Sequence, residues 1–233
     1  TRLRVMSFNV ENLFMNQGKF EIPDQFTMIP VENKGAQYKP EEELIEIAGI
    51  INRERPDLIS LQEIESLESL AVFAQVYLND QYSLVNYEAH LEEGNDQRGI
   101  DVGFLVRKGL NIQVELETHK HLRRTNPHNG QLEPLFSRDF PALIVSTPVA
   151  NGGYETQLVL FGVHAKSQRD RSSDPRSVEY RSAQFRAQMD ILWQYRQRFG
   201  SEIPILMAGD FNIDIRDPNN ESQILTSNGL MVD

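Results

Sequence analysis

Cysteine is absent from the 233 residues. This excludes disulfides, thiolate nucleophiles and Cys-ligated zinc or iron–sulfur centres. It leaves the compartment open, because an exported protein with a full core needs no disulfide; cytoplasmic and exported locations fit equally. Long apolar runs are missing too. No stretch approaches the roughly 18 residues that a transmembrane helix requires, and no signal peptide or basic transit segment is visible at Thr1. A chain that starts on Thr rather than Met is expected to have been trimmed. Basic charge is scarce, with 23 Lys and Arg against 34 Asp and Glu and a formal charge of -11. That opposes tight, processive binding to DNA or RNA but allows a local basic groove, and a negative cleft attracts divalent cations. Glycine-rich dinucleotide and Walker fingerprints are missing, as is any short internal repeat. What is present is an ordinary globular composition, 39% hydrophobic and 24% charged, long enough for one domain or at most two.

The hydrophobic pattern predicts strands over 3–10, 58–62, 82–87, 100–106, 112–116, 140–147, 157–163 and 203–208. It predicts a helix from Pro40 through Ile51, broken by Pro56-Asp57, and helices over 66–78 and 177–198. Pro40 suits the first helical position, with Glu41, Glu42 and Glu43 at the positive end of the dipole. Residues 15–39 and 119–131 read as surface loops, and Asn151-Gly152-Gly153 as a turn between two strands. Several consecutive strands lack an intervening helix, so a mixed α/β protein is expected rather than a purely parallel sheet.

Four apolar segments end on polar, chemically capable residues. They are Ser7-Phe8-Asn9, Leu61-Gln62-Glu63, Phe161-Gly162-Val163-His164 and Gly209-Asp210-Phe211-Asn212. Glu63 offers the hard carboxylate oxygen that Mg²⁺ prefers beside its retained waters, or is a solvated acid opening the next helix. Asn9 is able to donate to a phosphate oxygen or hold metal-bound water, or is a turn residue. Asp210 is able to orient or deprotonate water, and Asn212 to stabilise developing charge; Gly209-Asp210 also fits a plain turn. His164 by itself reads as a hydrogen-bonded structural residue at a strand end. Lys166 reads as a phosphate contact or a solvated cation, and Asp214 as a surface acid or turn cap. His119, His121, Arg123, Arg124 and His128, with Lys120, form either a basic lip or a solvated loop; their spacing lacks the partners of a zinc site.

The ordered set Ser7-Phe8-Asn9-Val10-Glu11-Asn12-Leu13, Pro56 to Glu63, Arg98-Gly99-Ile100-Asp101-Val102, Phe136-Ser137-Arg138, Val163-His164-Ala165-Lys166-Ser167 and Gly209-Asp210-Phe211-Asn212 resembles the endonuclease/exonuclease/phosphatase superfamily. The resemblance implies a single domain over 1–233 with a four-layer α/β sandwich, two mixed sheets packed face to face with helices outside. It implies Glu63 as a ligand to Mg²⁺, with Mn²⁺ as substitute. Asn9, His164, Asp210 and Asn212 are implied as catalytic groups. Arg138, Lys166 and Asp101 are implied on the substrate side, Asp101 by orienting its surroundings. Glu11 stays open between the metal side and a plain loop acid. Tyr180, Arg181 and Gln184 read as packing and solvated face. Family members continue past the Gly-Asp-Phe-Asn loop to an Asp-His pair that this sequence does not contain, so a chain truncated at its C-terminus is expected.

The implied function is Mg²⁺-dependent phosphoester hydrolysis, first as a phosphodiesterase or nuclease acting on a phosphate-containing substrate such as DNA or RNA. The Phe136-Ser137-Arg138 match favours nuclease and the acidity weighs mildly against it. A phosphomonoesterase or sphingomyelinase-like enzyme is the alternative within the class. A non-catalytic binding domain that keeps the fold is the alternative outside it. Nothing in the sequence sets the oligomeric state.

Overall fold

Short apolar runs, buried almost continuously in four of the strands, build two separate sheets, each with its own core. The computed structural model describes residues 2–15, 38–78, 86–169 and 173–227. Two compact units divide the chain, Thr1–Asn111 and Ile112–Asp233. Both combine one mixed four-stranded sheet with helices, so the fold is α/β with two mixed sheets.

In the first unit, β1 (Val5–Leu13), β2 (Leu58–Ile64), β3 (Tyr87–Leu91) and β4 (Asp101–Arg107) form a sheet in the order β1-β2-β4-β3. β1 and β2 are parallel, and the other pairs are antiparallel. A parallel neighbour needs a crossover, and helix α1 (Glu41–Glu54) lies between the two strands in sequence. Its Leu44, Ile47, Ala48 and Ile51 recur at helical spacing and are buried in a cluster with Ile59, Leu61 and Leu105. Each of the Leu and Ile side chains contributes about 1.5–3 kcal/mol through burial. Helix α2 (Leu67–Phe73) starts on Ser66, whose hydroxyl accepts the Ser69 N–H at 3.1 Å, and runs on as a π-helical turn over Ala74–Leu78.

In the second unit, β5 (Gln113–Glu117), β8 (Ala142–Pro148), β9 (Tyr154–His164) and β10 (Ile205–Asp210) form a sheet in the order β10-β9-β8-β5. Here β9 and β10 are the parallel pair, and β8 and β5 continue antiparallel. The crossover is the 22-residue helix α3 (Val178–Phe199). Its Phe185, Met189, Leu192 and Tyr195 pack in a cluster with Phe140, Ala142, Val159 and Phe161. Phe140 and Phe161 stack with centroids 4.7 Å apart. Asp174, just upstream, accepts the Glu179 and Tyr180 N–H groups at 2.9 and 3.0 Å, satisfying two donors of the first turn. A short helix α4 (Gln223–Thr226) follows β10.

The structure departs from the sequence pattern at several points. Pro40 is the cap residue of α1 rather than its first helical residue. Residues 119–131 are not all loop, because β6 (Arg123–Thr125) pairs antiparallel with β7 (Leu132–Pro134). The strand expected over 82–87 begins at Tyr87 and runs to Leu91; residues 82–85 lie outside the described residues, as do 16–37 of the long loop. The turn at 151–153 is present, closed by Val149 N–H donating to the Gly153 carbonyl at 2.9 Å.

Candidate active site

The first unit presents Asn9 midway along β1, where its regular pairing with β2 stops, and Glu63 next to the last residue of β2. The strands hold register from Val5↔Leu58 to Asn9↔Gln62, then both break stride. β2 also slips against β4 between Gln62 and Ile64. The extra residue of this bulge is Glu63, at φ 68°, and Glu11 and Asn12 sit at φ 50° and 59°. Positive φ is uncommon outside glycine and costs of order 1 kcal/mol or more per residue, so the surroundings must hold it. They do so through Glu63 itself. Asn9 Nδ2 donates to Glu63 Oε1 at 3.3 Å, and the Asn12 N–H donates to Oε2 at 3.2 Å. Asn9 Oδ1 accepts the Glu11 N–H at 3.0 Å, which fixes the amide orientation. Asp101 is buried on β4 opposite Ile64, next to the bulge, and its Oδ1 accepts the Gly94 N–H at 2.9 Å. Glu11 is exposed.

The second unit presents its residues at the ends of β9 and β10. Parallel register sets His164 directly beside Asp210, with His164 Nε2 4.0 Å from Asp210 Oδ2. The other carboxylate oxygen, Oδ1, accepts the Asn212 N–H at 2.8 Å, the hydrogen bond of an Asx turn. Asn212 is at φ 55°. Its Nδ2 donates to the Ala165 carbonyl at 3.0 Å, so the amide is locked to the end of the neighbouring strand. Gly209 makes this approach possible: an ideal Cβ there would stand 2.0 Å from the Val163 carbonyl oxygen. Phe211 is half-buried and lies 6.4 Å from Phe185, anchoring the loop as its place between Asp210 and Asn212 suggests.

Arg138 is buried, and its Nη1 lies 3.5 Å from the same Ala165 carbonyl. Its place is therefore beneath the strand end. Lys166 is half-buried, and its backbone is clamped from α3: Gln184 Oε1 accepts its N–H at 2.8 Å, and its carbonyl accepts Arg181 Nη1 at 2.8 Å.

This clamp was not anticipated. Arg181, Gln184 and Gln188 are 1–2% exposed, not a solvated face. Arg181 also pairs with Glu221, and Gln184 Nε2 donates to the Leu135 carbonyl at 3.1 Å. Tyr180 packs as expected and donates its hydroxyl to the Pro134 carbonyl. The available signal was the spacing 181, 184, 188, which places three polar residues along one side of a helix that must be partly buried. Gln168 is a second unanticipated support, donating to the Asn212 carbonyl at 2.8 Å. Asp214 is exposed and accepts the Arg216 N–H at 3.0 Å, the turn-capping alternative. In the basic lip, Arg124 pairs with Glu133 at 2.8 Å and covers the Tyr180 ring at 4.4 Å, while His128 lies 3.1 Å from Glu179.

Among the described residues, no group of three or more His, Cys, Asp or Glu converges as a metal cluster. The Glu63 carboxylate, oriented by the Asn9 amide, is a hard oxygen donor. It fits Mg²⁺ or Mn²⁺, which keep several waters, and does not fit tetrahedral zinc.

The sequence matches the model of the Endonuclease/Exonuclease/phosphatase family over residues 6–224, and the chain belongs to that family. Solved structures agree in fold. An endonuclease/exonuclease/phosphatase family protein from Bacteroides thetaiotaomicron superposes with a TM-score of 0.56 at 13% identity, covering 98% of this chain and 68% of that one. A mannosyl-6-phosphatase from the same organism gives 0.55 at 13% identity, covering 98% and 71%. The human Nocturnin catalytic domain with bound sulfate gives 0.52 at 17%, covering 98% and 70%. A comparison with curated proteins finds no match. Family membership supports a phosphoesterase or nuclease-like activity.

Proposed function

We propose that the chain carries the machinery of a Mg²⁺-assisted phosphoester hydrolase. The observation that carries this reading is the set at the ends of β9 and β10. An imidazole and a carboxylate stand 4.0 Å apart, and an amide is locked beside them by its own side-chain bond. Asp210 Oδ2 is the oxygen turned toward His164, since Oδ1 holds the Asn212 N–H. In hydrolysis Asp210 would accept the proton of the attacking water as the new P–O bond forms. The leaving oxygen would carry away the electron pair of the broken one. His164 would donate to a phosphate oxygen as charge builds there, and the second amide hydrogen of Asn212 would do the same. Glu63, with Asn9 fixing its orientation, would hold the cation. When bound, Mg²⁺ supplies charge neutralisation. Arg138 and Gln184 would act as positioning residues, because both brace the segment after His164.

One observation bears on the substrate. Two cations of the basic lip, Arg124 and His128, are already matched by Glu133 and Glu179. Together with the net charge of -11, this favours a small phosphoester over a long nucleic acid. The mannosyl-6-phosphatase among the similar folds points the same way. The test is a parallel assay in Mg²⁺ or Mn²⁺ with plasmid DNA, a short single strand, inositol phosphates, sphingomyelin and mannose 6-phosphate. Release of inorganic phosphate from the small substrates, abolished by EDTA, is expected. Strand scission without phosphate release would establish the nuclease reading instead. No turnover of any of them would favour a non-catalytic binding domain.

A further inference from the structure

At the opposite end of the first sheet, four arginines line one pocket. Arg2 and Arg4 come from the entry to β1, Arg55 from the C-cap of α1, and Arg107 from the last residue of β4. The pocket measures about 650 Å³, and Asp57 is its single acid. Asp57 precedes β2 and Glu63 lies near that strand's end, six residues on, so roughly 20 Å of extended backbone separates this pocket from the Glu63 bulge.

The charge in the pocket is not self-cancelling. Asp57 is buried with both oxygens committed: Oδ1 to the Arg107 guanidinium and Oδ2 to the Arg4 N–H at 2.7 Å. The Arg4 side chain reaches Glu54 at 3.6 Å, but both groups are about half exposed, where such a pair contributes little. Arg2 and Arg55 are exposed and have no ion pair or hydrogen bond from their guanidiniums among the described residues. In a chain with 11 more acids than bases, a net-positive pocket is against the trend of the whole surface.

The bland explanation is helix capping, since cations suit a helix C-terminus. It accounts for Arg55 and not for three arginines on strand ends. Even Arg55 is unusual, for it sits at φ 46° and ψ 54°, a cap conformation normally given to glycine. Beneath the cluster, the buried Tyr87 hydroxyl donates to the Pro56 carbonyl at 2.8 Å. Burial pushes that phenol up to about 12, against the pull of Arg107, Arg4 and Arg55.

We propose that this pocket is a second anion site, separate from the candidate active site, and that it binds a phosphate dianion. Guanidiniums offer planar forks matched to phosphate oxygens, and several converging forks suit a doubly charged tetrahedral anion better than chloride. The phosphate is either free or carried on a small organic molecule.

Calorimetric titration of inorganic phosphate, and separately of methyl phosphate, into the whole protein tests this, with EDTA present and ionic strength fixed by chloride. The variants are Arg2→Gln with Arg55→Gln, and, as a control for the other site, Asn212→Ala. The double variant should bind phosphate at least tenfold more weakly, with unchanged melting and unchanged Mg²⁺-dependent hydrolysis. Asn212→Ala should leave this binding in place. Tighter binding of inorganic phosphate identifies the free ion, and tighter binding of methyl phosphate identifies an organic phosphate. The proposal is overturned if the double variant binds as well as wild type, if binding vanishes only in Asn212→Ala, or if neither phosphate binds.

Discussion

The two units hold chemically similar residues where the regular pairing of parallel strands ends, but they hold them by opposite means. In the first, the candidate side chains secure each other: Asn9 donates to Glu63, and the carboxylate also holds the bulged backbone at Asn12. In the second, the candidate side chains are secured by scaffold. The Ala165 carbonyl anchors Asn212, α3 clamps Lys166, and Gly209 lets the backbones approach. A site built of its own ligands should lose binding and local structure together. A site built on scaffold should separate the two, with chemistry removable at little cost in stability and stability removable without touching a functional group.

The largest expected effect is at Gly209. A methyl group there meets fixed backbone at 2.0 Å, whereas at Gly103 in the first unit the nearest atoms are the ends of Leu70 and Leu91 at 2.8 and 3.1 Å. Gly209→Ala should cost about 4 kcal/mol or more, or prevent folding. Gly103→Ala should cost about 1–3 kcal/mol. Urea denaturation of both variants checks this, and equal costs would break the contrast.

Next comes Asp210→Asn, which keeps size and removes the proton acceptor. In the active protein kcat should fall roughly 10²-fold, about 2.7 kcal/mol in the barrier. The melting temperature should hold, because the Asx turn needs only an acceptor oxygen, which Asn retains. Wild-type kcat across pH would return Gly209-Asp210 to an ordinary turn.

Glu63→Gln should weaken Mg²⁺ or Mn²⁺ binding about tenfold by calorimetry, since a neutral amide oxygen replaces the carboxylate. It should also lower stability by roughly 1 kcal/mol, because the charge-assisted bonds to Asn9 and Asn12 weaken. A variant with weakened metal binding and unchanged melting would show that the first unit separates chemistry from structure after all.

The smallest effect concerns acid. His119 in the second unit and His90 in the first are both held below the ordinary imidazole range by burial. Below pH 6.5 the unfolded chain takes up protons that the folded chain resists, so stability is full above that value and falls as pH drops from 6.5. His119 sits 5.8–6.1 Å from three aromatic rings. His119→Phe should therefore flatten the loss between pH 7 and 5.5 by up to about 1 kcal/mol. An unchanged slope in urea titrations at the two pH values would acquit this residue.

The framework was legible where apolar side chains come in runs. α1, β2, β9 and α3 follow from runs such as Leu44-Ile45-Glu46-Ile47 and Gln157 to Val163. The hairpin of Arg123–Thr125 and Leu132–Pro134 was hidden because its strands are three residues each and mostly polar. The candidate positions stand out in the sequence as polar residues at or near the ends of apolar runs. How they are held does not, because bulges at Asn9 and Glu63, positive φ, and carbonyl anchors leave no hydrophobic signature. Arg138 shows the limit: its motif marked it as important, while only the structure places it under the Ala165 carbonyl.

The pairing of His164 with Asp210 also has a kinetic consequence. Its strands meet in parallel only after the chain has closed a loop from Val159 to Ile205, so β10 docks late relative to the β8–β9 hairpin. A slip of one residue at that step would turn Asp210 and the core-facing side chains of β10 to the other face, while His164 stays where the β8–β9 hairpin holds it. Refolding followed by circular dichroism should thus run ahead of the return of catalysis, with the lag measuring how long β10 takes to find its place.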